Sequence, residues 1–274
     1  MSDSWRQPHR LVLAGVGILT VFFMIAPTLI VVPMGFSSSD VLEFPPPGFS
    51  LRWYSSIISD DQWSTALVTS LEVALLTAAL ASVLGIAAAY GLVRGEFRGK
   101  RVLASILISP LIVPVVVIAI GMFSVYVAGW GVGPVRIGSR LAGSLSGLVL
   151  AHTVLALPYV VVNVVASPAL FDRTLESAAM TLGASPLRAF WRITFPLILP
   201  GVFAGALFAF VTSWDEVVVA LFMTSPVFRT LPVLFYSQLH TQQDPTIAAV
   251  STLLMTITTT ALVAILLLQG RRRL

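Results

Sequence analysis

Charged and apolar positions along this chain segregate into blocks too long for a soluble fold. Six largely apolar stretches are each long enough to cross a bilayer, which takes about 20 residues of helix. They predict spans at about residues 11–36, 64–93, 102–128, 142–166, 196–222 and 245–269 of a single 1–274 domain. Between the fourth and fifth, residues 168–195 are polar enough to leave the membrane yet keep a helical period. Phe171, Leu175, Ala178 and Leu182 fall at i, i+4, i+7 and i+11, one stripe on one helix face. Gly183 follows where helices commonly end in a left-handed residue. Ser185 and Pro186 then read as the N-cap and first residue of a second helix. Two short helices with a bend, both on one side of the membrane, are expected here.

The other segments are simpler. The first apolar run exceeds a signal-peptide core of about 7–15 residues and lacks a small-residue cleavage site, so it reads as a retained helix. Pro27 and Pro33 are expected to kink or end it. After the stiff Pro45-Pro46-Pro47-Gly48 piece, Trp53, Tyr54, Ile57 and Ile58 share one face of a short helix, either lying at the outer interface or packed as an ordinary loop helix. Residues 129–140 form a Gly-rich outer turn and 224–245 the last outer loop. Gly143/Gly147 and Gly201/Gly205 are small residues four apart, a spacing that allows close helix packing, inside the subunit or against a second subunit.

Composition turns this pattern into a class. The chain is 57% hydrophobic and 10% charged, with mean hydropathy +0.95, against about 25% charge in soluble domains. It is an integral membrane protein, and a soluble enzyme is excluded. The absence of cysteine removes disulfides, thiolate metal sites and a thiol nucleophile. With the N-terminus inside, Arg6, Arg10, Arg94, Arg98, Lys100, Arg101, Arg173, Arg188, Arg192, Arg271, Arg272 and Arg273 face the cytoplasm. Only Arg52, Arg136, Arg140 and Arg229 face outward, so the positive-inside rule favours N-in, C-in. The net charge of +4 is thereby a topology signal, and no nucleic-acid partner is implied. The loop Arg94-Gly95-Glu96-Phe97-Arg98-Gly99-Lys100-Arg101 is not a phosphate loop, being one residue short and lacking the Ser/Thr. His9, His152 and His240 lie in different regions, so no metal site or catalytic set is expected.

The stretch Ser177 to Pro196 resembles the EAA loop of ABC-importer permeases. That family's pattern is Glu-Ala-Ala, three residues, Gly, nine residues, Ile, one residue, Leu-Pro. Ala178, Ala179, Gly183, Ile193 and Pro196 match it; Ser177 stands where Glu is usual, with Glu176 just before it, and Phe195 stands where Leu is usual. Phe49 to Tyr54, Ala89-Tyr90, Ser213 to Val217, Arg229 to Pro232 and Ile247 to Thr252 extend the resemblance toward spermidine/putrescine-type permeases.

The resemblance implies an all-α integral membrane fold of six transmembrane helices, the type I ABC importer (MetI-like) permease fold with a cytoplasmic coupling helix. It implies a bacterial inner-membrane subunit that is not an enzyme and binds no cofactor. ATP and Mg would be bound by two partner ATPase subunits. A second, homologous permease chain and an extracytoplasmic solute-binding protein complete the expected assembly in the lipid bilayer. Leu175, Glu176, Ser177, Ala178, Ala179, Leu182, Gly183, Ala184, Ser185, Pro186 and Arg188 are then the expected ATPase-coupling residues. Arg173 and Arg192 would join Arg188 at the rim of the docking groove, and Phe190, Trp191 and Phe195-Pro196 would make a rigid joint to the next span.

Intramembrane charge marks candidate solute contacts. Glu72, Asp215 and Glu216 are expected in the outer half, because Asp215 lies about 28 Å of helix beyond Pro196. Trp214 could offer a cation–π face. His152, Tyr159 and Asn163 share a face of the fourth span, where Tyr159 and Asn163 join the pathway candidates. The expected solute is small and cationic, a polyamine such as spermidine or putrescine, with an opine or an aminoalkylphosphonate as alternatives. A gradient-driven secondary transporter is the competing class, and such proteins more often show broken spans.

Overall fold

The computed structural model describes residues 7–129, 141–167, 170, 172–239 and 245–270. Phe171, Arg136, Arg140, His240 and Arg271 to Arg273 lie outside the described residues, as does most of the Gly-rich turn. The described residues form two compact units, one from Met1–Asp61 with Ser237–Thr256, the other from Gln62–Tyr236 with Ile257–Leu274.

In the first unit, α1 (Gln7–Gly35) runs unbroken through Pro27 and ends two residues after Pro33. α2 (Arg52–Ser59) folds back on that end: the Trp53 indole donates to the Ser37 carbonyl at 2.9 Å, and Tyr54 meets Phe36 with ring centroids 4.9 Å apart. Ile57 is buried, but Ile58 is exposed, so three of the four expected residues share the packed face. The start of α12 (Thr246–Gly270) packs on Gly35, where a side chain would meet the Ala248 carbonyl at 2.9 Å.

The second unit is built around three helices, α3 (Asp61–Arg94), α6 (Leu145–Val165) and α9 (Phe195–Trp214). Their closeness follows from glycine. A Cβ on Gly85 of α3 would lie 2.5 Å from Val160 Cγ1, and one on Gly205 of α9 would lie 2.8 Å from Val160 Cα. A Cβ on Gly201 would meet the Asn163 carbonyl at 2.7 Å. Val160 of α6 is thus held between two glycines, and the Gly201/Gly205 pair packs within the subunit as its spacing predicts. The Gly143/Gly147 pair does something else. Gly143, at φ +76°, precedes α6, whose N-cap Ser144 accepts the Gly147 N–H at 3.1 Å.

Two expected spans are not continuous. The third consists of α4 (Lys100–Ile108), a tighter turn at Ser109–Leu111 and α5 (Val115–Ala128), bent by 106°. Pro114 has no N–H to continue the ladder and pushes Val113 out of helical conformation. The fifth span stops at Trp214 rather than 222, and residues 215–217 separate it from a short helix, α10 (Val218–Met223). α10 packs on α5 and α6, and α11 (Leu231–Gln238) begins where the Leu231 N–H meets Ser70 Oγ of α3 at 2.7 Å. Among the described residues five helices are long and apolar enough to cross a membrane, or six if the bent pair is one span.

Candidate functional site

The loop after α6 holds the expected first helix and bend, but the second helix is the start of the long helix that includes α9 rather than a separate short one. α7 spans Thr174–Thr181. Its first turn is fastened by Asp172, whose Oδ1 accepts the Thr174 N–H at 2.8 Å. That bond, with the Thr174 hydroxyl and nearby Arg94, holds the Asp172 carboxyl below its ordinary pKa. Gly183 ends the helix at φ +90°, with its N–H on the Met180 carbonyl and the Ala184 N–H on Ala179. Nothing lies within 4 Å of where a Gly183 side chain would begin, so conformation rather than crowding selects glycine here. Ser185 then caps α8 (Pro186–Ala189), accepting the Arg188 N–H at 3.4 Å, with Pro186 in the first position. α8 runs through a wider π turn, Phe190–Thr194, directly into α9.

The described part of the apolar stripe is open, as is Leu187 of α8. Leu182 is 89% exposed, Leu187 69% and Leu175 55%. Ser177, Ala178, Thr181 and Arg188 are also exposed, and Ala179 and Ala184 are half-buried. Ser177, the position that departs from the usual Glu, lies on this open side.

Glu176 does not. Its carboxylate turns inward to the end of α3, where Oε2 pairs with Arg94 Nη2 at 3.0 Å and Oε1 accepts the Tyr90 hydroxyl at 3.3 Å. Both charged side chains are only 9% exposed. Arg94 Nη2 also donates to the Asp172 carbonyl, and Arg173 Nη2 donates to the Arg94 carbonyl, each at 3.1 Å. Glu176 is therefore buried against α3, whereas Arg173 stays exposed while donating to the same helix end. Arg94, Tyr90 and Asp172 are the site residues that sequence reasoning missed. Tyr90 lies 86 positions from Glu176, beyond any local pattern.

An aromatic chain continues from this corner. Tyr90 meets Phe190 edge-on at 5.2 Å, Phe190 meets Trp191 at 5.3 Å, and Trp191 meets Phe195 at 4.9 Å. The bulky joint expected before α9 is present, and it also touches α3.

The intramembrane candidates do not gather in one cluster. Trp214 is 0% exposed and stacks on Phe210 with centroids 6.0 Å apart, so its face is not open to a solute. Glu216 accepts the Val219 N–H at 2.8 Å and closes the first turn of α10. Asp215 is exposed, and Thr258 donates to its Oδ1 at 3.1 Å. Thr258 is twelve residues from each end of α12, about 18 Å at 1.5 Å per residue. Asp215 is thus beside the middle of α12.

Glu72 is exposed on α3. Tyr159 stacks on Phe208 at 6.2 Å, and Asn163 donates to the Tyr159 carbonyl at 2.8 Å. His152 is buried, with Nδ1 2.8 Å from Ser213 Oγ, which ties α6 to α9. Among the described residues no group of three or more His, Cys, Asp or Glu could hold a metal ion.

Comparison with known proteins matches residues 81–273 to the family described as "Binding-protein-dependent transport system inner membrane component". The chain is 36% identical to the putrescine transport system permease protein PotI of Escherichia coli K12 over 256 residues, covering 91% of this chain and 86% of that protein. It is 30% identical to the spermidine/putrescine transport system permease protein PotC of the same organism, covering 88% of each. Among solved structures, a bacterial alginate ABC transporter in complex with its alginate-pentasaccharide-bound periplasmic protein aligns at TM-score 0.70 and 16% identity, covering 98% of this chain and 96% of that one. The MetNI methionine ABC transporter, in inward-facing conformations, aligns at 0.57 and 16%, covering 77% and 98%.

Proposed function

Since the chain belongs to the binding-protein-dependent transport system inner membrane component family, and is a multi-pass permease subunit of an ABC importer rather than an enzyme, we propose that it carries a polyamine, putrescine or spermidine, across the inner membrane. The observation that carries this reading is the 36% identity to a putrescine permease over 91% of the chain. Asp215 supports it, as an exposed carboxylate at the midpoint of α12, where an ammonium group could be held. Glu72 is the second exposed acid on the proposed path, with Tyr159 and Asn163 on α6.

The drive comes from outside the chain. The exposed face of α7 and α8, Leu175, Ala178, Leu182 and Leu187, docks in a groove of a separate ATPase, which binds the ATP and Mg. Two such ATPase subunits, a second homologous permease chain and an external solute-binding protein make up the assembly. The distribution of Lys and Arg supports placing α7, and both chain termini, in the cytoplasm. ATP binding closes the ATPase pair, the docked helices move together and the pathway opens outward; ATP shifts the balance because it favours one of the two states.

The test is uptake by proteoliposomes containing the complete transporter. Putrescine or spermidine is expected to enter only with ATP and binding protein. Preferred uptake of an opine or an aminoalkylphosphonate would overturn the solute assignment. Uptake that follows an ion gradient without ATP would overturn the mechanism. Broken spans are more frequent in the competing secondary-transporter class, but Pro114 accounts for the 106° break in the third span without invoking a transport site.

A further inference from the structure

We infer that the Arg94–Glu176 pair is a latch that makes α3 a second output of the coupling loop, alongside α9. The inference rests on the docking role proposed above for α7. Forward along the chain, α7 leads through the Gly183 turn to α8 and α9. A push on α7 delivered by that route alone must pass a single left-handed residue and a π turn, both of which can bend. Noncovalently, α7 and the two residues before it are fastened to the end of α3 at four points. These are Arg94–Glu176 at 3.0 Å, Tyr90–Glu176 at 3.3 Å, Arg94 to the Asp172 carbonyl at 3.1 Å and Arg173 to the Arg94 carbonyl at 3.1 Å.

The chemistry suits a mechanical link. Both oxygens of the Glu176 carboxylate are used, so the side chain cannot rotate without losing a bond. The guanidinium of Arg94 bridges a helix side chain and the backbone just before that helix, fixing angle as well as distance. Burial raises the cost of separation, because pulling the loop from α3 leaves two poorly solvated charges without partners. The corner is also shared: Tyr90 touches Glu176 on one side and Phe190, at the root of α9, on the other. Motion of α7 is therefore delivered to α3 and α9 together. α3 carries Gly85 against Val160 of α6, so the same motion reaches the centre of the three-helix core.

The experiment uses the complete transporter in proteoliposomes and reads solute moved per ATP hydrolysed, with ATPase co-purification measured alongside. For Glu176→Gln the ratio is expected to fall at least about tenfold while the ATPase still co-purifies, since the docking face is untouched and only the buried charge pair is lost. Because that variant leaves Arg94 buried and unpaired, a second one is needed. The chain has no cysteine, so R94C/E176C can be bridged by a short bifunctional thiol reagent. Bridging is expected to restore the ratio to within about twofold of the parent, which a merely stabilising pair does not require. An unchanged ratio in E176Q, or no recovery on bridging, would sink the latch. Loss of ATPase co-purification in E176Q would do the same, because the pair would then shape the docking surface instead of relaying its motion. Leu182→Asp separates the two ideas. If the ATPase stays bound to that variant, the docking reading fails; if it is released while E176Q keeps a normal ratio, only the latch fails.

Discussion

Replacing Leu182 by alanine tests the docking face where the structure makes the magnitude plainest. Leu182 is 89% exposed, more than any other leucine in the described part of the loop. Truncating it removes almost no contact within the chain, so the stability of the isolated subunit should change by less than about 0.5 kcal/mol. In a docked complex the same side chain would be removed from water. Three carbons at about 0.8 kcal/mol each, scaled by the exposed fraction, give about 2 kcal/mol, or roughly 30-fold in affinity. The assay is titration of detergent-solubilised permease against purified ATPase, with thermal unfolding of the permease alone as the control. A large fall in affinity with an unchanged melting temperature fits the docking face. Unchanged affinity would refute the reasoning, and so would a fall in melting temperature of the same free-energy size, since Leu182 would then be an internal packing residue.

Three further outcomes follow from other positions. Gly183→Ala should cost about 1–2 kcal/mol through its left-handed backbone alone, and Gly183→Asn clearly less, because no neighbour lies within 4 Å; equal losses in thermal unfolding would argue for a steric role instead. Gly205→Leu should destabilise the fold by about 3 kcal/mol or more, because its Cβ would sit 2.8 Å from the Val160 Cα, whereas Gly15→Leu, with open space around it, should be nearly silent in the same melt. Asp215→Asn should weaken uptake of a divalent polyamine about tenfold or more in KM while leaving ATPase association intact; unchanged uptake and selectivity would remove Asp215 from the pathway.

Much of the coupling loop was legible because its signals are local. A left-handed end at Gly183, a cap at Ser185 and a first-turn proline at Pro186 are each written in one or two residues, and all three are present. The Gly201/Gly205 spacing likewise announced close packing, since two small residues four apart necessarily share a helix face. Pro114 was equally visible in the sequence, yet the third apolar run read as one straight span, because hydropathy averages over the break while proline acts at a single bond.

The sequence by itself determined the class of the protein, since apolar blocks of bilayer length can be satisfied only by helices. It also marked where the chain turns and which loop carries an amphipathic helix. The tertiary structure alone decided what that helix is attached to and what the acids touch. Glu176 and Ser177 are adjacent and equally polar, but only one can face α3, and the rotation of α7 assigns Glu176 to Arg94 and Ser177 to the open side. Asp215 and Trp214 are adjacent too, and the end of α9 leaves one exposed beside Thr258 and the other sealed against Phe210. Such choices depend on contacts between residues far apart in the chain, to which local periodicity and composition are blind.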